Sequence, residues 1–304
     1  MEYVSQQITA FTATNLTDTY DDYNPATTYT FETGTPTNAS VCRVGTYYYR
    51  SLINGNIGNE PTANEDVKWI KWGVSNKHAM LDFSAQSKST FAGDLYVIFK
   101  QNQIRTLGIG NYEAETITIE ILDASGNVLW SYETDSSVNE NVIDYWSYIY
   151  EDYGYQVDRA FKIDLPLVGD RVKVTFNKSS ESTIASCGFL VGGLAVNMGE
   201  TLTNIDFSFN SYAIKEFDDF GKLTITKRAV QDLVDFETAI DTNEIVNLKR
   251  EIKKIYNDII MFVLDESETS NYENLITLGT IQDASVILTE FDKTIISYSI
   301  IEAV

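Results

Sequence analysis

Between Leu95 and Asn177 the chain repeatedly breaks into short runs in which apolar and polar side chains alternate. That period of two constrains the fold more than any other feature, because only a strand with one buried face needs it. The clearest case is "TITIEILDASGNVLWSYE", two alternating runs joined at Ser125-Gly126-Asn127, which predicts a hairpin. "DLYVIF", "AFKIDLPL" and "RVKVTFN" predict further strands, the last two separated at Gly169-Asp170. "TIASCGFLVGGLAV" is apolar throughout and predicts a fully buried strand bent at its glycines. Together these runs predict an all-β sandwich from Phe83 to Met198. The aromatics of "NVIDYWSYIYEDYGYQ" fit neither period, so a loop or a short helix across a sheet is expected there.

Helical spacing is confined to "DTNEIVNLKREIKKIYND", where Ile245, Leu248, Ile252 and Ile255 form one apolar stripe. Asp241 followed by Glu244 predicts a capping box, with the helix running from about Thr242 to Tyr256. Strands are expected at "GKLTITKR", "VDFETAI", "IIMFVLD", "ASVILTEF" and "TIISYSII", giving one helix laid on a sheet. At the other end, "SVCRVGTYYYRSLI" predicts two strands around Gly45, and "VKWIKW" a third. The residues before Ser40 are rich in Thr, Asn, Asp and Tyr and read as loops, short edge strands or an extended arm. The expected organisation is mainly β: an arm over 1–39, a small three-stranded β module over 40–72, a β sandwich over 73–200, and a C-terminal α+β module with one helix over 201–304.

Charge narrows the function. Against 22 basic residues stand 44 acidic ones, a net charge of -22 over 304 residues. Such a surface repels phosphates and anionic lipid, so no tight nucleic-acid binding and no membrane association are expected. The opening "MEYVSQQITA" has no basic region or apolar run, so no Sec signal is expected. The longest apolar stretch, Gly188 to Val196, is too short to span a bilayer. Cys42 and Cys187 are far apart and read as two reduced, partly buried thiols, and with one histidine the chain offers too few ligands for zinc.

No motif for catalysis emerges. His78, the sole histidine, has no nucleophile elbow or reactive-cysteine motif to serve, and reads as a surface or interface residue. The acidic groups Asp18, Asp21, Asp22 and Glu216, Asp218, Asp219 read as solvated loop acids, since a catalytic pair needs a geometry that spacing alone does not supply. "DTYDDYN" lacks calcium-loop spacing. "GNIGN" and "GIGNYE" lack the Lys-Ser/Thr of a phosphate loop and read as turns. No enzymatic activity and no cofactor are therefore expected.

Two sets of residues suggest binding. Tyr47, Tyr48, Tyr49, Trp69 and Trp72 form either a sugar-stacking platform, with Tyr49, Trp69 and Trp72 as its principal members, or the core of the small module. In a strand Trp69 and Trp72 point to opposite faces, which puts one in the core and leaves the other free to be exposed. Lys249, Arg250, Lys253 and Lys254 concentrate positive charge on the helix, as a solvated face or as a contact with an acidic neighbouring subunit.

"YYYRSLINGNIGNEP…VKWIKWG" resembles small carbohydrate-binding modules of the chitin-binding type, with Tyr49, Gly58, Pro61 and Trp69 at their characteristic places. The opening tryptophan of those modules is absent, and Tyr23 and Tyr29 are the aromatics available in its stead. "WGVSNKHAMLDFSAQSKST" is similar to a segment that follows such a module in neck and tail proteins of bacteriophage virions. Gly73, Ser75, Asn76, Lys77, Ala79, Met80 and Asp82 match or nearly match it. "CGFLVGGLAVNMGET", "IDFSFNSYAIKEFDDFGKLTITKR" and "LITLGTIQDASVILTEFDKTIISYSIIEAV" continue the resemblance in order. The composition, rich in Asn, Ile and Tyr, suits a crAss-like podophage of gut bacteria. The resemblance implies a virion protein without enzymatic activity: a subunit of a homo-oligomeric ring in the neck or tail, contacting other neck and tail proteins. It also implies that Trp69–Ser84 is a joint, with Gly73 in a tight turn and Ala79 and Met80 buried on the sandwich. A carbohydrate-binding adhesin with a glycan partner is the alternative.

Overall fold

The computed structural model describes residues 1–84, 87–135, 160–178, 183–217, 223–227, 230–264, 276–287 and 293–303. The aromatic run from Tyr145 to Tyr155 and the acids Asp218 and Asp219 lie outside them.

The alternating runs build a sandwich. Its first sheet has five strands in the order Val128–Asp135, Thr116–Leu122, Arg171–Asn177, Leu95–Lys100 and Ala13–Thr14. The second has four, in the order Ala160–Asp164, Thr106–Glu113, Ile184–Gly193 and Ser89–Ala92. Ile117, Ile119, Ile121, Val172, Val174 and Phe176 from the first meet Leu107, Ile109, Ala185, Cys187 and Leu190 from the second in one core. The expected hairpin closes through Asp123, whose carboxylate accepts from the Asn127 backbone N–H at 2.8 Å. "AFKIDLPL" and "RVKVTFN" do form strands, but Gly169-Asp170 takes the chain from one sheet to the other.

A third layer explains the strands that are apolar on both faces. Seven antiparallel strands follow the order Ala195–Asn197, Glu2–Val4, Ile260–Val263, Ile276–Ile287, Lys293–Glu302, Val230–Asp241 and Glu200–Ser211. Ile260 and Phe262, together with Tyr3, Phe236 and Tyr298, face the helix α1, Ile245–Ile255, and pack with its Leu248, Ile252 and Ile255. Met261 and Val263 face the four-stranded sheet, where they meet Phe189 and Val191. The layers therefore stack as sheet, sheet, sheet and helix, and both central sheets are covered on two sides.

"GIGNYE" is part of a buried strand rather than a turn. Its glycines serve close packing: a Cβ on Gly108 would lie 1.9 Å from Met261 Sδ, and one on Gly110 would lie 2.0 Å from Phe189 Cζ. A larger residue at Gly108 would wedge the four-stranded sheet away from the third layer, and one at Gly110 would displace the ring of Phe189, its partner in the same sheet.

The segment expected as an arm is built into the chain's own layers. Glu2–Val4 pairs on both sides, with Ala195–Asn197 and Ile260–Val263. Ala13–Thr14 pairs with Leu95–Lys100. Tyr3, Val4, Ile8 and Leu16 are buried. Polar residues dominate the composition around these few apolar positions, so the segment carries no periodic signal.

The helix begins without the expected capping box. Asp241 is extended and its side chain makes no cap hydrogen bond, a 3-10 turn occupies Thr242–Glu244, and the α-helix starts at Ile245. Leu248, Ile252 and Ile255 are buried as the apolar stripe requires.

Candidate functional site

The stretch from Trp69 to Ser84 joins the small module to the sandwich. The module pairs Val41–Val44, Tyr47–Ser51 and Trp69–Val74 in that order. Gly73 lies inside the last strand with no left-handed backbone, so it makes no turn. The turn comes after it, at Ser75, whose backbone N–H donates to Thr46 O at 2.9 Å. Ser75 Oγ is 2.8 Å from His78 Nδ1, and the His78 N–H donates to Ser75 O at 2.9 Å. Burial holds the His78 imidazole below its usual pKa; the Asp18 carboxylate opposes the shift, and Arg43 and Lys77 add to it. It therefore serves as a neutral partner to a buried hydroxyl.

Asn76 is the stitch between the units. Its Nδ2 donates to Thr17 O and to Thr90 O, both at 2.9 Å, and its Oδ1 accepts from the Thr90 N–H at 2.8 Å. Asp18, with a side chain only 7% exposed, pairs with Arg43 and, at 3.7 Å, with Lys77 Nζ. It also accepts from the Lys77 backbone N–H at 3.2 Å. Met80 then inserts into the sandwich core, and Ala79 is buried beside it. Each unit thus presents groups that the other satisfies, so this joint resists bending.

A cavity of about 360 Å³ opens beside the joint, lined by Gln6, Thr9, Tyr47, His78, Asp82 and Phe83 among others. Burial raises the Asp82 carboxyl above its usual range, while Ser87 and Ser84 donate to it and oppose the shift. These contacts commit His78 and Asp82 to local bonds that order the loop.

The aromatic residues divide between two faces. Trp69 is 0% exposed; its ring stands edge-on to Tyr29 at 5.0 Å and to Tyr23 at 6.1 Å, and its Nε1 donates to Asn59 O at 2.9 Å. Tyr49 and Cys42 complete that core. Burial pushes the Cys42 thiol up to about 12. Trp69 and Tyr49 therefore hold the module together, and neither offers a free ring face. Trp72 is 44% exposed on the other face. Tyr48 pairs with Gly73 and Tyr49 with Lys71, which leaves Trp72 as the extra residue of a β-bulge. The Tyr20 ring lies 5.7 Å from the Trp72 ring and edge-on to Tyr48 at 5.1 Å, and the Arg50 guanidinium is 6.0 Å from the indole. The bulge, with Tyr20 and Arg50 as neighbours, was not foreseen. Period-two counting does place Tyr48 and Arg50 together on the face opposite Tyr49.

Lys249, Arg250, Lys253 and Lys254 are all exposed. With Val246 they line the side of α1 turned away from the buried Leu248, Ile252 and Ile255. Lys254 pairs with Glu251 at 2.6 Å, and Glu251 also accepts from the Tyr3 hydroxyl at 3.2 Å. The other three cations have no ion pair among the described residues. Of the acidic groups, Asp22 joins Asp18 on Arg43, and Glu216 is exposed. Among the described residues no group of three or more His, Cys, Asp or Glu side chains could hold a metal ion. None of their helices is long and apolar enough to cross a membrane.

Comparison with known proteins gives no family model, no curated protein and no solved structure that matches this chain.

Proposed function

We propose that this chain is a structural, non-enzymatic protein of a tailed-bacteriophage virion, one subunit of an oligomeric ring at the head-to-tail connection. The observation that carries the reading is the segregation of charge. A body with net charge -22 repels its own copies, yet one helix turns a stripe of cations outward on a rigid layered support. Identical subunits can close a ring when such a stripe meets an acidic surface of the next copy. The joint also supports it, because Asn76 and Asp18 fix the small module at one angle, as a repeating assembly needs. An acidic lumen would let DNA pass without gripping it. In this reading the protein resides in the virion, assembled in the host cytoplasm among other neck and tail proteins.

The test is reversal of charge at Lys249→Glu with Lys253→Glu, followed by light scattering of the purified protein and by mass analysis of purified virions. Loss of the oligomer and of incorporation is the expected result. Wild-type assembly by the variant would defeat the role given to the helix, and absence of the chain from virions would defeat the whole reading.

One observation favours a second reading, a carbohydrate-binding virion adhesin: Trp72 presents an exposed ring beside Tyr20 and Arg50. Retention of the wild type on chitin, lost on Trp72→Ala with the fold intact, would support it.

A further inference from the structure

The last strand of the seven-stranded sheet, Glu200–Ser211, pairs among the described residues on one side only, with Val230–Asp241. Val230–Asp241 also pairs with Lys293–Glu302, but only from Leu233 onward, so beyond Ser208 the pair has no third strand among the described residues. The same two segments pair again as Ile214–Phe217 with Leu223–Thr226, a two-stranded unit separate from the main sheets. Phe207, Phe209, Tyr212, Leu223, Ile225 and Val230 are all at least 42% exposed, and Phe209 reaches 71%.

Three features of this ribbon are out of keeping with a finished surface. A two-stranded ribbon is marginal in water without a third strand or a packing partner. Exposed edges are normally blunted by lysine, proline or a bulge. Here the register shift falls early, between Thr201 and Ile205, and the edge from Asp206 to Ser211 carries neither lysine nor proline. Finally, residues 209–232 hold four basic and four acidic residues, in a chain with 22 and 44. The ribbon is thus the nearly neutral, apolar part of an otherwise strongly acidic molecule.

We propose that this ribbon is the arm by which one copy of the chain docks on the next, its occupant being a second copy of the same chain. Charge selects that partner. Lys215 and Lys227, both exposed, favour an acidic body, and the chain's own remainder is one. A ribbon of this length can cover about 800 Å², the share of one partner in a standard interface. The inference deepens the ring reading and rests on it in taking the contact to be head to tail.

The experiment uses the full chain. Ordinary and ¹⁵N-labelled protein, each carrying p-benzoylphenylalanine in place of Phe209, are mixed, irradiated and digested. Cross-links between light and heavy peptides are expected. Links confined to one label would show that the ribbon folds against its own chain and would overturn the proposal. In parallel, Phe209→Ser with Ile225→Ser is expected to weaken self-association by about tenfold or more in sedimentation velocity. At a concentration where the wild type is monomeric its melting temperature should be unchanged, since both side chains are exposed in the single chain. An unaltered oligomer, or a wild type that sediments as a monomer at every concentration, would equally overturn it. The two readings fail differently. Hybrid cross-links from a protein absent from virions would sink the ring alone, whereas ring-sized particles indifferent to the double variant would sink the ribbon alone.

Discussion

Replacing Gly110 by alanine tests how the ring of Phe189, paired opposite it in the same sheet, fills the space over the glycine. The new Cβ would lie 2.0 Å from Phe189 Cζ and 2.2 Å from Cε1. Carbon atoms settle at about 3.5–4.0 Å, so the ring must retreat by roughly 1.5 Å. It has little space to do so, packed with Val4, Val191, Met261, Val263 and Leu278 between two sheets. Overpacking of this kind costs about 1–3 kcal/mol. Alanine recovers part of it, about 0.4–1 kcal/mol, by restricting the unfolded chain, since Gly110 is not in the left-handed region. The net loss should be about 1–2 kcal/mol, a fall in Tm of roughly 2–8 °C for a chain of this size. Thermal unfolding followed by circular dichroism measures it. Shortening the ring with Phe189→Leu supplies the control. Alone it should destabilise by opening a cavity, but together with Gly110→Ala the two should compensate by at least about 1 kcal/mol. A wild-type Tm for Gly110→Ala, or strictly additive losses in the pair, would show that Phe189 does not fill the space over Gly110.

Trp69→Ala should cost the small module about 3–5 kcal/mol, whereas Trp72→Ala should change stability by less than about 1 kcal/mol; limited proteolysis of the module separates them. His78, held below its ordinary pKa by burial, binds fewer protons folded than unfolded. Stability should therefore be lost as pH falls from about 6.5 through the folded value, by at most about 1.4 kcal/mol per pH unit, and His78→Gln should flatten that slope in denaturant titrations. Cys42 and Cys187 are buried, with both thiols pushed up by burial, so a thiol reagent at pH 8 should label neither in the native protein and both in denaturant.

Sequence periodicity reported each strand's own surroundings well and its partners poorly. The hairpin at Ser125-Gly126-Asn127 was legible because both strands and the turn are local. The buried runs at Ile184–Gly193 and Ile260–Val263 were legible because two covering layers remove the need for polar residues. The neighbours were not. Ala160–Asp164 and Arg171–Asn177 are close in sequence but belong to opposite sheets, and alternation is the same in either case. Thr106–Glu113 was missed because glycine signals a turn locally, while the reason for Gly108 and Gly110 lies in side chains of other strands. Trp69 and Trp72 could be assigned to opposite faces by counting, but the bulge and the company of Tyr20 and Arg50 depend on pairing.

Where the first residues go decides where an interface can be. Gln6 donates from Nε2 to Leu190 O at 2.7 Å and accepts from the Gly192 N–H at 3.0 Å, and Gln7 N–H donates to Gly192 O at 2.7 Å. Room for that crossing comes from Gly193, where a Cβ would stand 2.1 Å from Ser5 O. Glu2–Val4 then fills a position between strands formed by residues far along the chain, and Val4 packs with Phe189 and Met261 between the layers. Residues committed in this way cannot also reach a neighbour without dismantling two sheets. Removing them should therefore unfold the chain rather than free a folded subunit, and soluble, cooperatively melting protein lacking residues 1–8 would contradict this. In the proposed ring, contacts between copies would come from parts that the layers leave uncovered. The outward stripe of α1 and the ribbon beyond Ser208 meet that condition, one supplying positive charge and the other apolar surface. An acidic molecule needs both to associate with itself: cations to offset the repulsion, and apolar area to hold the contact once salt screens the charge.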